Sequence, residues 1–500
     1  MTKRTPRGGL RCWVLSSRRL PSRIQPPAVL GLVLALSACG RVRYEPGLRD
    51  ASTGREAGLD AASDAWFDAG AAPVDAPTPM ALALLGGTGA LQVNDMVTGP
   101  SGEVYVVGVF DGELRAGSLS AAADLAGCFA ARFEADGSVA WLADVTSRVA
   151  VCESVDLEGD QVALGVYTDV ASTLTIQYAG GRTTRPPLTD GAQQISRAIV
   201  LTRAGEPVEI LTLDASGNDQ LRNVDLMPGG ILLSGLYAAG AAGFGGVLLP
   251  DGRPMPSTSD DGFLVSRVFP TPLTGPVGWA QPFGGDSDTV VFDAEGNASG
   301  TCAAGRYVTQ LDIGRDTTLE GTQTRRAFIA SFAADGALLA MNQDEPIITF
   351  RDVIRTPSEC VALRSGDDAP PIIVVRMNAL SGVTTRAELS GDASLDMFSD
   401  FILSPSGDAL IPGGYGPGTW MLGTVGTVFE THAAFVATIS STGVASVRRV
   451  PVVGESTAQA IAYASDGSLI VATSFSRSLN LDGTSLVAAG PNDVVLVRMR

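Results

Sequence analysis

The chain has 500 residues, is 45% hydrophobic, holds 59 glycines and 29 prolines, and carries a formal net charge of −18. Its one lysine, Lys3, and its one histidine, His432, exclude a lysine Schiff base, a P-loop lysine, a Ser–Lys dyad and any multi-histidine metal site from the rest of the chain. Lys3 and six arginines fall within residues 1–38, so the remainder has 28 basic against 53 acidic residues, a net of about −25 that disfavours nucleic acid and anionic lipid heads.

Taken in order, residues 1–38 begin basic and end in the apolar run Ala28–Ala38, AVLGLVLALSA. Eleven such residues are too few to span a bilayer and predict a signal-peptide core. Leu36-Ser37-Ala38-Cys39 resembles the lipobox of bacterial lipoproteins, which implies cleavage before Cys39 and lipidation of its thiol. The alternative is an ordinary signal peptide cut near Ala38. Ser17-Arg18-Arg19-Leu20 resembles a twin-arginine signal only faintly. Gly40 lacks the aspartate that retains some lipoproteins at the inner membrane, so the expected address is the outer membrane or cell surface. Residues 39–79 follow as an Ala-, Asp-, Gly- and Pro-rich stretch with almost no periodic apolar residues. It cannot bury enough surface to offset its chain entropy, and it reads as a disordered, self-repelling tether. Trp66-Phe67 is its one apolar spot.

From residue 80 to 500 a pattern recurs, first complete over Val93–Val145: four short β-like segments separated by Gly-, Asp- and Ser-containing turns. Its third segment gives a column at Phe129, Ile199, Phe263, Phe328, Ile373, Phe435 and Val495, seven matches at a mean interval of 61 residues. Apolar residues stand at successive positions there, as in a strand covered on both faces. The second segment gives Gly108-Val109-Phe110, Gly165-Val166-Tyr167, Gly235-Leu236-Tyr237, Gly413-Gly414-Tyr415 and Thr473-Ser474-Phe475. Units four and five break that register, with Gly300-Thr301-Cys302 and Cys360–Asp367. Ala135-Asp136-Gly137, Ala334-Asp335-Gly336 and Ser441-Thr442-Gly443 read as hairpin turns, followed by fourth segments carrying Trp141 and Trp279. Unit five is about 45 residues long and reads as a trimmed unit. The last unit has no fourth segment of its own. Met80-Ala-Leu-Ala-Leu-Leu-Gly-Gly-Thr matches that position and would supply it from the N-terminal side. The expected fold is therefore all-β: a single seven-bladed β-propeller of four-stranded antiparallel blades, closed by an N-terminal strand. These units resemble the seven-bladed β-propeller repeats (SBBP-type) of bacterial, especially myxobacterial, surface lipoproteins. The resemblance implies the architecture and brings little function with it.

Beyond Cys39, the cysteines of the repeat region are Cys128, Cys152, Cys302 and Cys360. An even number in an exported chain favours two disulfides, and proximity suggests Cys128–Cys152 and Cys302–Cys360 among three possible connectivities, with buried free thiols as the alternative.

Candidate chemistry is sparse. His432 precedes a third strand and reads as surface decoration. Asp260-Asp261 and Asp367-Asp368 could bind calcium or serve acid–base catalysis, although solvated turns in an acidic protein explain them as well. Gly235–Gly246 lacks a nucleotide-binding setting. Arg132, Arg376 and Arg498 share one column, where pairing with neighbouring aspartates is expected over a ligand role. Leu174–Gln194 and Ala238–Asp261 are the long loops on which recognition could be grafted. No cofactor or metal is expected. The expected function is a membrane-anchored, surface-exposed, non-catalytic scaffold for a glycan or protein partner. The alternative is a polysaccharide hydrolase or lyase using carboxylates at the central channel. A quinone-dependent dehydrogenase ranks below both, because only Trp141 and Trp279 share a column.

Overall fold

A computed structural model describes residues 80–499 except for intervening stretches, of which 185–194, 238–260 and 269–276 are the longest. The expected signal peptide, Cys39 and the tether lie outside the described residues. Among the described residues every regular element is a β-strand.

Chain order and pairing group the strands into antiparallel meanders. The first contains Leu91–Thr98, Val104–Ala116, Leu119–Phe133 and Val139–Thr146. The second contains Ala150–Glu158, Gln161–Thr168, Ile195–Thr202 and Pro207–Leu213. The third runs through Gln220–Met227, Gly230–Tyr237, Asp261–Val268 and Val277–Gly284. The fourth comprises Val290–Asn297, Gly300–Tyr307, Arg326–Phe332 and Leu338–Pro346. The fifth comprises Ile348–Arg355, Glu359–Gly366, Ile372–Asn378 and Thr384–Gly391. It keeps all four strands, so its shortness lies in the connection after Gly366. In the sixth, Leu395–Asp396 and Ile402–Leu403 both pair with Ala409–Tyr415, which is followed by Ala433–Ile439 and Ala445–Arg449. The last contains Ser456–Tyr463, Leu469–Phe475 and Asp493–Met499, and Met80–Gly87 lies beside Asp493–Met499 in the register Met80↔Arg498 and Leu84↔Val495.

Hydrophobic burial explains the repeated third strand. Phe129 packs into a core with Ile470 and Leu496, whereas Ala130, the next residue, packs with Leu164 and Ile199. Phe328 and Ile329 likewise face two different cores. Successive side chains of a strand point to opposite faces, so the middle of a strand between two neighbours is apolar at successive positions. Each core joins two meanders, and the Phe129 core joins the first to the last.

The glycine column has a steric cause. Phe129, Phe263 and Phe328 lie directly opposite Gly108, Gly235 and Gly305. A Cβ on Gly305 would stand 2.1 Å from the Val290 carbonyl oxygen and 2.7 Å from the Phe328 ring. Unit four therefore keeps the column as Gly305-Arg306-Tyr307, and the expectation that Gly300 marks a break is corrected: Gly300 has φ 131° at the entry to that strand. In unit two the expected register slips by one, because Leu164 lies opposite Ile199 while Gly165 lies opposite Ala198.

The turn glycines at the next meander cover the tryptophans. A Cβ on Gly205 would stand 3.0 Å from the Trp141 ring, and one on Gly336 would stand 2.6 Å from Trp279. Gly137, Gly205 and Gly336 have φ of 82–85°, the left-handed conformation these turns require. Ser441-Thr442-Gly443 lies outside the described residues.

The segment expected as the loop Leu174–Gln194 is partly structured. Thr173–Tyr178 and Gly181–Thr184 form a hairpin whose first strand pairs with Val139–Thr146 of the preceding meander. Gln310–Ile313 and Gly418–Leu422 do the same to Val277–Gly284 and Thr384–Gly391. The arms pair with otherwise open edge strands, which suppresses edge-to-edge association.

Replacing Phe328, buried between two stacked or tilted rings (Phe283 at 5.4 Å and Tyr307 at 6.5 Å), should be costly. Phe328→Ala is expected to destabilise the protein by about 3–5 kcal/mol, read by denaturant unfolding.

Candidate functional site

The strongest chemical feature lies on the leading strand of each meander. Six leading strands carry or border a register shift, at Val93/Asp95, Cys152/Ser154, Leu221/Asn223, Val291/Asp293, Phe350/Asp352 and Ala458/Ala460. A bulge re-aims the residues after it, and a leading strand is a sheet edge, so alternate backbone N–H groups point out of its ladder. In this protein, side-chain oxygens of one leading strand accept outward-pointing N–H groups from the next. Asp95 Oδ2 accepts from Val155 N at 2.7 Å, Asp293 Oδ2 from Val353 N at 2.7 Å, and Asp352 Oδ2 from Phe401 N at 2.9 Å. Asp400 Oδ2 accepts from Ile461 N at 3.4 Å, and Ser154 Oγ takes the same role toward Val224 N at 3.0 Å.

A second tier lies two residues further on. Asp156 Oδ2 accepts from Leu226 N at 2.5 Å, Asp225 Oδ2 from Gly296 N at 2.7 Å, and Glu295 Oε2 from Arg355 N at 3.0 Å. The last strand meets the first through an amide: Gln459 Oε1 accepts from Val93 N at 2.9 Å, and the Thr98 hydroxyl donates to the Tyr463 carbonyl.

These carboxylates act on one another across meanders. Burial is the main influence on each, and mutual repulsion adds to it. Asp95 is pushed up to about 7 by burial and by Asp293 and Asp156, and Glu295 to about 8 by burial, Asp293 and Asp156. Burial, reinforced by neighbouring carboxylates, holds Asp225, Asp352 and Asp400 well above the ordinary aspartate range. Asp156 and Asp293 are also raised, chiefly by burial. Asp95 of the first meander feels Asp293 of the fourth, and Asp400 of the sixth feels Asp95, so the side chains face a common space.

The residues singled out from sequence fall elsewhere. Asp261 begins a third strand and is buried, whereas Asp260, Asp367 and Asp368 lie outside the described residues. His432 is exposed. Gly235 lies inside a strand, and the loop after Tyr237 is outside the described residues. Arg132 donates to the Arg203 carbonyl at 2.8 Å and pairs with Glu134 at 2.9 Å; Arg376 donates to the Gly407 carbonyl and stands 3.6 Å from Glu359. The partners of these two arginines are thus glutamates and backbone of the next meander, in place of the expected aspartates. Among the described residues, no group of three or more His, Cys, Asp or Glu is placed to hold a metal ion.

Both cysteine pairs lie at disulfide distance, with Cα separations of 5.0 Å for Cys128–Cys152 and 5.7 Å for Cys302–Cys360. Each joins two successive meanders. Non-reducing peptide mapping is expected to recover these two linked peptides, and reduction should cost about 3–4 kcal/mol per bond by the loop-entropy argument.

A cleft of about 490 Å³ lies where two hairpins meet on the first meander, with Asp144 and Thr146 in its lining and Glu113, Gln177 and Arg182 around it. Gln177 Nε2 donates to the Ser120 carbonyl at 2.5 Å, joining the hairpins. Burial pushes Asp144 up to about 6, against the opposing pull of Arg182. A raised carboxyl contributes stability that is complete below the unfolded value near 4 and lost as pH rises through about 6. Asp144→Asn is therefore expected to gain on the order of 2 kcal/mol relative to wild type between pH 4 and pH 8, measured by unfolding at both.

No family model matches the chain, and no curated protein matches it. Among solved structures, the Dos1 propeller is similar over 83% of this chain and 95% of its own, with TM-score 0.40 and 8% identity. The endosialidase of phage phi92 is similar over 84% of this chain and 69% of its own, with TM-score 0.36 and 10% identity.

Proposed function

We propose that residues 80–500 form a seven-bladed β-propeller whose ring is closed by Met80–Gly87, and that the protein is a non-catalytic binding scaffold for a glycan or protein partner, tethered to the cell envelope through lipidated Cys39. The ring is supported by the pairing of Met80–Gly87 with Asp493–Met499 and by the core shared between the first and last meanders. Anchoring is supported by Leu36-Ser37-Ala38-Cys39 and the polar tether after it. The observation that carries the non-catalytic reading is the use of the channel carboxylates. Asp95 and Asp293 accept a neighbouring backbone N–H on each oxygen: Met96 and Val155 for Asp95, Ala294 and Val353 for Asp293. In each, Oδ2 holds the next leading strand and Oδ1 is held by the following N–H of its own strand, so both oxygens are engaged in fixing the strands, where a general acid or nucleophile would be presented to substrate.

The second reading, a polysaccharide hydrolase or lyase, is favoured by the convergence of carboxyls with raised pKa in that same channel. One experiment separates the two. Purified residues 80–500 are applied to a glycan array and then to each retained polysaccharide in a product-release assay. Retention without new ends or unsaturated products supports the scaffold, and turnover abolished by Asp293→Asn would replace it with the enzyme. For the anchor, a palmitate analogue should label the wild type and leave Cys39→Ala unlabelled; equal labelling of both refutes lipidation at Cys39.

A further inference from the structure

Two hairpins built onto the first meander change what one strand position holds. Val104–Ala116 and Leu119–Phe133 stay paired beyond the body of the sheet, from Gly112↔Ala123 to Ala116↔Leu119. Val139–Thr146 lies between that extension and the arm Thr173–Tyr178, with Asp144 opposite Phe129 on one side and Thr175 on the other. The corresponding position is Ile210 in the second meander, Pro282 in the third and Gln343 in the fourth, opposite Ile199, Phe263 and Phe328. Ile210 and Pro282 are half-buried and Gln343 is exposed, whereas Asp144 is 4% exposed. A position on the outer strand that is open or half-open elsewhere is thus taken by a buried carboxyl.

This carboxyl is the buried charge in the lining of the 490 Å³ cleft between the two hairpins. Its Oδ1 accepts no hydrogen bond. A buried acceptor left without a donor costs about 1–3 kcal/mol, so Asp144 burdens the fold, and a donor brought by a ligand would relieve it. The carboxyl torsion is broad and two-fold, so either oxygen can turn toward the cleft. The remaining charges pair off. Glu113 is held by Arg115 through two hydrogen bonds of 3.0 Å. Arg182 donates to the Thr175 hydroxyl at 3.3 Å and acts on Asp144 by charge. A cation entering the cleft would meet Arg182, and an anion would meet Asp144 and Glu113, so ligands of either charge are opposed. What remains is hydrogen-bonding capacity of both kinds, from Asp144, Arg182 and the hydroxyls of Ser120 and Thr146, beside the methyl groups of Ala121 and Ala122.

We propose that this cleft binds a neutral oligosaccharide, with Asp144 accepting a hydrogen bond from one sugar hydroxyl and Arg182 donating to another. The inference rests on the scaffold reading above in its glycan form. A pyranose carries adjacent hydroxyls that each donate and accept, and an apolar face of C–H groups. The carboxyl and guanidinium suit the first, and Ala121 and Ala122 suit the second. The cleft is within the size range of small-molecule sites.

The test applies the full-length protein to an array of neutral gluco-, manno-, galacto- and xylo-oligosaccharides together with sialylated and uronate-containing ones. The neutral sugar retained best is then titrated in solution by calorimetry against wild type and four variants. Asp144→Asn removes the charged acceptor and, being the more stable fold, separates binding from folding; it is expected to weaken binding about tenfold or more. Arg182→Ala, at an exposed residue, is expected to do the same. Ala122→Trp, also at an exposed position, fills the cleft and should abolish binding. Gln343→Ala, at the matching position of the fourth meander, should leave it unchanged. A neutral sugar bound equally well by Asp144→Asn and Ala122→Trp overturns the cleft and leaves the scaffold reading standing; should Ala122→Trp not fold, Asp144→Asn decides alone. Retention of acidic glycans only overturns the assignment to neutral sugars. Retention of no glycan overturns both the cleft and the glycan form of the scaffold reading.

Discussion

A backbone N–H pointing outward from one leading strand, accepted by a side-chain oxygen from the strand before it, is the contact on which the rest of the structure depends. Leading strands of neighbouring meanders do not hydrogen-bond through their ladders, since the sheets stack face to face. Without an acceptor, Val155, Leu226, Gly296, Val353 and Arg355 would each bury an unsatisfied donor, at a cost of about 1–3 kcal/mol apiece. The edge strands thus create a need, and the aspartates, with Ser154 and Glu295, meet it. The apolar cores hold sheet against sheet without direction; the carboxyls add direction, because an oxygen reaches one N–H at one relative offset of the two strands.

The architecture is legible in the sequence and the belt of carboxyls on the leading strands is not, for a physical reason. Third strands are covered on both faces, so their middle positions are apolar in succession, and Phe129, Phe263 and Phe328 advertise themselves against glycines that could not carry a Cβ. Leading strands face a core on one side and the polar belt on the other, and the bulge shifts the period partway along. Their pattern therefore looks like ordinary alternation. A signal nevertheless exists: Asp95, Ser154, Asn223, Asp293, Asp352 and Asp400 stand one place after the bulge or its equivalent, spaced like the third-strand column. The conspicuous doublets, Asp260-Asp261 and Asp367-Asp368, are adjacent in sequence, whereas the contacts between leading strands are made by single residues about one unit apart.

Two expectations fail on register. Gly165 aligns with Gly108 by sequence, but Leu164 takes that place opposite Ile199, because a one-residue slip in a strand exchanges its faces. Gly300 aligns by sequence as the broken glycine of unit four, yet Gly305 fills the column. In both cases glycine identity is a weaker guide than the face on which the residue stands. The hairpin over Thr173–Thr184 escapes a sequence reading because its strands are short and polar; its order comes from pairing with an edge already in place.

The joint between Ser456–Tyr463 and Leu91–Thr98 differs from the others in its chemistry. No peptide bond links these two strands in sequence, since they belong to opposite ends of the described chain. There the acceptor is the neutral Gln459 amide, Asn492 donates to the Leu91 carbonyl at 2.6 Å, and the Thr98 hydroxyl donates to Tyr463. An amide and a hydroxyl do not change charge with acidity. The one joint lacking covalent continuity is thereby closed by neutral groups, whereas the joints on either side of it, at Val155 and Ile461, are closed by carboxyls.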